Sequence, residues 1–542
     1  MKKWANGFIG VLLLGVMLTA ACGTAAGQTQ AAVTKTETVT STQTVTATST
    51  VTATATITKT AAITTSPATT APSTAVVPTT SAPPPTTPAV VWPVQITGQF
   101  SVSPTHAPVG STVTATGTGY AANGKFNLMW GDVTGSWNVS NGSFYGRVWK
   151  QTWINLTPIQ ADAQGAFKVT FTVPDGFGFA HDLDVLEGDT TNGTIRGKLA
   201  FAVDMQITMS TSSGVLGSPI TITVKGMGWR DYENSWMVLY DNKYTGVLTT
   251  TTTHGSGQAV ITAVGGTGKH VIQVLQGSWT FAFMNIAQSP FPTTPTWTFN
   301  YTITEGAPIM PPDVKLQSNP VVNSKVPADN GSAQIWTDIY LAPVGTTMTI
   351  LGKGLPAGAK VDLSYSGMTG NRVDGKGYEV VKVAVGTATV AANGTISYPF
   401  KMPDTHGGLH TMSAEIAGTL VAQTTFNLTP SAVSITPASG PVGTIMDIQL
   451  KGLGWTVNEN NYYMTVDNGY VGYTCGFNNY GTIDIMLPIA GTPGWHYIDF
   501  YPGVYKGTET VNIDNFRVPY LTPADHPGEI IPVLHFAFLV TA

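Results

Sequence analysis

This sequence predicts an all-β chain: four tandem β-sandwich modules behind a signal peptide and a Thr/Pro-rich stalk. Three observations carry that prediction. One pattern is written four times: PVGSTVTATGTGY (Pro108 to Tyr120), LGSPITITVKGMGW (Leu216 to Trp229), PVGTTMTILGKGLP (Pro343 to Pro356) and PVGTIMDIQLKGLGW (Pro441 to Trp455). Each copy couples a Gly turn to apolar/polar alternation of period two and then to a second Gly, which marks a half-buried strand between turns. The composition agrees: of 542 residues only 10% are charged, while Gly numbers 59 and Pro 35, which suits turns and extended chain better than helices. Thirdly, the same succession of later elements follows every copy. At roughly 100–200 residues per domain, this length suits three to five domains, each large enough for a core.

The elements follow in order. Residues 1–22 read as a signal peptide, with Lys2 and Lys3, an apolar run from Phe8 to Leu18 and then Thr19-Ala20-Ala21-Cys22. The run is too short to span a membrane comfortably. The small residues before Cys22 resemble the lipobox of bacterial lipoproteins, with Thr19 where Leu is usual. That resemblance implies a lipid on Cys22 and a membrane as partner; an ordinary secretory signal is the alternative. Cys475 is the one other cysteine, so acylation of Cys22 would leave no internal disulfide. Residues 23–95 form a stalk dominated by Thr, Ala, Val, Ser and Pro, without large side chains to build a core, and are expected to be disordered and extended.

The modules are expected at 96–205 (A1), 206–306 (B1), 307–430 (A2) and 431–542 (B2). After the opening motif comes a strand-and-turn centred on Trp130, Tyr240, Tyr365 or Val466, and Asp467-Asn468-Gly469 suits a tight hairpin turn. A strand led by His follows, at His181, His270, His410 and His496, and an alternating strand closes each copy. The apolar run Ile530 to Val540 is therefore the last strand of B2 rather than a membrane tail. From the turn Gly (Gly110, Gly217, Gly345, Gly443) to the strand centre the spacing is 20, 23, 20 and 23 residues, and to the His it is 71, 53, 65 and 53. Copies two and four match, which predicts a duplicated pair, A–B–A–B. Short connections such as Thr429-Pro430-Ser431 predict end-to-end contacts and a stiff rod.

The Pro-x-x-Gly-Pro-Val-Gly-Thr pattern with Gly-x-Gly-aromatic, complete at Pro437 to Trp455, resembles bacterial Ig-like domains of the IPT/TIG type, and by repetition the resemblance covers about residues 96–542. Leu216 departs from the Pro-Val pair, and Leu355-Pro356 from the aromatic. The resemblance implies a spacer, an adhesive module or an appendage to a surface enzyme, and no catalytic residue.

Candidate sites follow from residue chemistry. The four His recur at one place in separate modules, so a framework hydrogen bond is the first reading and a ligand role the second. Asp182, Asp184, Glu187 and Asp189 offer hard oxygen ligands within one hairpin, which Ca²⁺ would accept; a solvated strand face is the first reading and calcium the second. The insert Trp130 to Trp153 mixes aromatic and polar groups: Trp137, Tyr145, Trp149 and Trp153 with Asn141 and Arg147. Sugars stack C–H faces on such rings while amides and guanidinium groups take the hydroxyls, so a packed hairpin is the first reading and a glycan-binding patch the second. The long loops Gly277 to Pro295 and Gly503 to Pro532 are apolar and are expected to dock on a neighbouring module.

Several classes are excluded or disfavoured. A net charge of −5 without clustered Lys or Arg argues against nucleic acid. There is no Gly-x-Ser-x-Gly elbow, His-Glu-x-x-His pair or phosphate-binding Gly loop, so no enzyme is expected. The resulting expectation is a non-catalytic, lipid-anchored surface protein, a structural or adhesive rod. A carbohydrate-binding lipoprotein and an accessory subunit of an envelope enzyme complex are the alternatives, with a glycan or an envelope protein as partner and no required cofactor.

Overall fold

In the computed structural model the described residues are 40–43, 51–54 and 91–542, apart from 141–142, 279–280, 283, 289–296, 325, 372–376, 505–516 and 529–530. Cys22 and most of the stalk lie outside them. Within the Thr-rich segment, strands Thr40–Gln43 and Val51–Thr54 pair antiparallel. Residues 87–542 form a separate unit.

A1 shows how the repeated motif folds. Its strands are β1 (Gln99–Ser103), β2 (His106–Pro108), β3 (Thr112–Thr118), β4 (Lys125–Ser140), β5 (Ser143–Gln160), β6 (Phe167–Thr172), β7 (Phe179–Glu187) and β8 (Thr194–Asp204). Sheet β1-β3-β6 packs on sheet β2-β8-β7-β4-β5. Alternation on β3 sends Val113 and Ala115 inward, where they meet Leu128, Trp130, Leu183, Val185 and Phe201 of the other sheet. The short strand β2 runs parallel to β8, so the chain crosses between the sheets at its first edge. This is an Ig-like sandwich.

The other three modules repeat that plan, each with a three-stranded sheet built on the motif strand and a larger sheet holding the His strand. Each has its own core: around Trp236 and Tyr301 in B1, Tyr365 and Phe426 in A2, and Tyr462 and Phe538 in B2. The all-β, four-sandwich expectation is met. Leu534–Thr541 is the closing strand of B2, paired with Gly494–Pro502.

The two glycines of the motif have a conformational cause. Gly110, Gly217, Gly345 and Gly443 have φ between +82° and +92°, and Gly119, Gly226, Gly354 and Gly452 between +66° and +80°. A Cβ is disfavoured in that left-handed region. Each first Gly donates its N–H to the residue after the closing strand of the small sheet: Val173, Ala263, Met402 and Ile489 carbonyls, at 2.8–3.0 Å. At Asp241-Asn242 and Asp467-Asn468 the hairpin turns also have positive φ, 47–63°, as the turn chemistry requires.

The expected rod is corrected by contacts between modules. A1 meets B1 through a bridge between Gly178 and Gly228, and A2 meets B2 through the matching bridge between Gly407 and Gly454. B1 and B2, however, touch each other directly although A2 lies between them in sequence. Asn468 Nδ2 donates to the Thr262 carbonyl (2.6 Å), and Tyr497 and Tyr501 of B2 pack into the B1 core cluster. The physical reason is the apolar surface that B2 offers: large aromatic side chains on its outer sheet face must be covered, and B1 covers them.

Candidate functional site

The four His occupy equivalent framework positions. In each, Nε2 faces the carbonyl four residues earlier: Phe177 (2.9 Å), Gly266 (2.7 Å), His406 (2.8 Å) and Thr492 (2.8 Å). Nδ1 faces the strand-and-turn. In the A modules its partner is a carbonyl, Gly131 (2.8 Å) or Ser366 (2.6 Å); in the B modules it is a carboxylate, Asp241 or Asp467 (both 2.6 Å). The other carboxylate oxygen accepts the next backbone N–H, from Val271 or Tyr497. Each His therefore ties one hairpin to the strand beside it. Burial lowers the pKa of His410, and the carbonyls of Ser366 and His406 only partly oppose it. At His496 burial also works downward, but the Thr492 carbonyl and Asp467 outweigh it and the pKa is raised.

The acidic run of β7 is not gathered into one ligand set. Asp182 pairs with Lys198 (3.1 Å) and Glu187 with Arg196 (2.6 Å). Asp189 accepts the backbone N–H of Thr191 and Asn192, both at 2.8 Å, which lowers its pKa. Among the described residues no group of three or more His, Cys, Asp and Glu is placed to hold a metal ion. Asp184 departs from the solvated-face reading: it is fully buried, and neither carboxylate oxygen has a hydrogen-bond partner. Burial pushes its pKa up to about 6, against the pull of Lys198. On the same outer face of A1, Trp92, Met129, Leu186 and Ile195 form a small apolar cluster with Trp153 against it.

The aromatic insert is the hairpin β4–β5, and its residues serve different contacts. Trp130 is core. Trp153 packs against Trp92, ring centroids 4.9 Å apart. The Arg147 side chain is 1% exposed, donates to Asp231 O (3.1 Å) and Ser235 Oγ (2.9 Å) of B1, and lies over the Trp137 ring at 5.4 Å. Trp137 Nε1 donates to the Asp525 carbonyl of B2 (2.5 Å). Tyr145 is exposed, and Asn141 lies outside the described residues. Trp149 donates to Asp231 Oδ1 (3.2 Å) and sets its edge on Phe177. With Gln151, Asp182, Trp229 and Arg230 it lines a cleft between A1 and B1.

Sequence reasoning missed the centre of the module junction, Asp525. It is fully buried on the B2 loop, yet it serves B1: Oδ2 accepts Thr249 Oγ1 (2.6 Å) and Thr251 N (2.7 Å), while Oδ1 accepts Thr252 N (2.5 Å) and Thr252 Oγ1 (2.7 Å). Burial raises its pKa against these four donors. The run Thr249 to Thr253 was the available signal, since consecutive Thr in a turn exposes several donors to one acceptor. Around it Phe144 of A1, Met237 and Val247 of B1, and Val518 and Tyr520 of B2 are buried together. This meets the docking expectation for the described part of the second long loop; the first lies largely outside the described residues.

Fold and site together define an all-β chain of four tandem Ig-like sandwiches whose titratable groups are engaged largely in framework bonds. No protein-family model matches it, and no curated protein does. Among solved structures it is similar to a tetra-tandem repeat in the extending region of a large adhesion protein, at 11% identity over 82% of this chain and 100% of that one, TM-score 0.18. It is also similar to the ICAM-5 D1–D4 ectodomain fragment (8% identity, 82% and 100%, TM-score 0.17). A third is a putative membrane anchored protein from Corynebacterium diphtheriae (11% identity, 61% and 91%, TM-score 0.16). At these TM-scores the likeness carries no argument, and the fold rests on this chain's own strand pairing.

Proposed function

We propose that this chain is a non-catalytic protein of the cell exterior, held to the membrane by lipid on Cys22, with a structural or adhesive role in the envelope. The four sandwiches are the displayed part and the Thr/Pro-rich segment is the spacer. The junction at Asp525 is the observation that carries this reading. One buried carboxylate ties a loop of B2 to a turn of B1, and Trp137 of the A1 hairpin bonds the backbone carbonyl of the same residue. Such a joint resists separation of modules in a way that beads on a string do not, which suits a part that transmits or withstands force. The framework roles of the recurrent His support the absence of a reaction centre. No helix among the described residues is long and apolar enough to cross a membrane.

Expression of the full chain in a lipoprotein-processing bacterium tests it. Wild type is expected in the membrane fraction, accessible to protease added to whole cells and labelled by a palmitate analogue. Cys22→Ser should lose the label and leave the membrane. A Cys22→Ser protein that stays membrane-bound would overturn the anchor, and a wild type shielded from added protease would overturn surface display.

A further inference from the structure

The A1–B1 cleft has no part in the display role, although some of its lining residues also make framework contacts. Its volume is about 440 Å³, within the roughly 300–1,000 Å³ of small-ligand sites. It lies on the outer face of the A1 sheet, where β4, β7 and β8 contribute the small residues Gly131, Ala180 and Ala200. Trp149 and Gln151, two apart on β5, share that face and form one wall. B1 supplies the opposite wall through Trp229 and Arg230, and Asp182 lies at the β7 side. Arg230 stands over the Trp229 ring at 5.3 Å and pairs with Glu233 (3.2 Å), so its guanidinium is held beside the opening.

The second A–B pair provides an internal comparison. His181 faces the Gly131 carbonyl and His410 faces that of Ser366, which aligns those two positions. The strand registers then match Trp149, opposite Gly135, with Tyr378, opposite Gly370. Trp229 corresponds to Trp455 through the shared Gly-x-Gly-Trp segment. In that pair Tyr378 sits directly on Trp455, ring centroids 4.2 Å apart. Its counterparts of Ala180 and Ala200 are the larger Leu409 and Thr425. Two junctions of one design therefore differ in the residues that would close the space, and the first pair carries the small ones.

We propose that the A1–B1 cleft binds a short neutral oligosaccharide, with a sugar C–H face on Trp149 and hydroxyls on Gln151, Asp182 and Arg230. The chemistry selects this class. An indole supplies an apolar platform for the C–H face of a sugar ring. Around it an amide, a carboxylate and a guanidinium offer both acceptors and donors, as vicinal hydroxyls require. A strongly anionic ligand would meet Asp182, and a cationic one Arg230. The proposal does not rest on the envelope role, and the Cys22 experiments do not bear on it.

Calorimetric titration of the full-length protein with cellotriose, maltotriose, mannotriose and triacetylchitotriose tests it. At least one is expected to bind with a Kd of about 1 mM or tighter. The double variant Ala180→Leu with Ala200→Thr, which installs the residues of the second pair at two exposed positions, should weaken that binding about tenfold or more. Gln151→Ala, at an exposed position, should weaken it several-fold without affecting the fold. Absence of heat with all four sugars up to about 10 mM overturns the proposal. So does affinity unchanged in both variants.

Discussion

Removal of the Asp525 carboxylate is the perturbation that most directly tests how the modules are joined. Asp525→Ala leaves four B1 donors without their acceptor: Thr249 Oγ1, Thr251 N, Thr252 N and Thr252 Oγ1. A hydrogen bond to a charged group contributes about 1.5–3 kcal/mol, so a naive sum would reach about 6–12 kcal/mol. Such bonds are not additive, and the desolvation of the carboxylate is relieved by the same substitution. Deleting one partner of a buried charged network typically costs about 3–5 kcal/mol, and about 4 kcal/mol is the expected loss. Asp525→Asn should rescue little, because its amide NH₂ must face either Thr251 N–H or Thr252 N–H, and a backbone donor cannot turn away. The assay is urea unfolding followed by hydrogen exchange at Thr249 to Thr252, with a double-mutant cycle against Thr252→Val. The cycle should give a coupling of about 1.5–3 kcal/mol for the single hydroxyl bond to the carboxylate. A loss below about 1 kcal/mol for Asp525→Ala, or protection of those amides unchanged, would refute the argument that this carboxylate holds B2 on B1.

Three further outcomes are expected. His526 is buried, with Nδ1 accepting the Gly528 N–H and Nε2 facing the Gly503 carbonyl, and burial pushes its pKa down to about 4. The unfolded chain then binds more protons between about pH 6.5 and 4, so stability falls as pH falls through that window, by about 3 kcal/mol in full. Protection factors along Val518 to Asp525, corrected for the intrinsic pH dependence of exchange, should fall below about pH 6, and pH-independent protection would contradict it. Asp184 has the opposite sign: its pKa is raised to about 6, so its folded-state preference for the neutral acid is present below about pH 4 and lost by pH 6, again about 3 kcal/mol. Asp184→Asn should therefore raise the A1 melting temperature at pH 7 and leave it nearly unchanged at pH 4; equal shifts at both would refute the burial argument. Gly443→Ala meets open space but a φ of +92°, and should cost B2 about 1 kcal/mol by chemical unfolding, with no loss counting against the conformational reading of the motif.

Much of the architecture was legible because it is local. The Gly turns, the period-two strands and the His-led strand each depend on residues close in sequence, and fourfold repetition made them readable against noise. The core role of Trp130 and the strand character of the C-terminal run followed from the same alignment. The candidate sites were less legible. Trp137, Trp149 and Trp153 look equivalent in sequence, yet one closes a three-module joint, one lines a cleft and one packs on Trp92, because partners far away in the chain chose among them. Asp184 reads as one more polar residue on an outer face, and only the tertiary structure shows it fully buried.

The amino-acid order alone settled that four sandwiches form and where their turns lie, since backbone dihedral preference and alternation act over a few residues. Whether the modules line up or fold back was decided in space. B1 and B2 meet over A2, and a carboxylate at 525 finds hydroxyls at 249 and 252. Such contacts depend on which apolar faces cover each other, and no spacing along the chain encodes that choice.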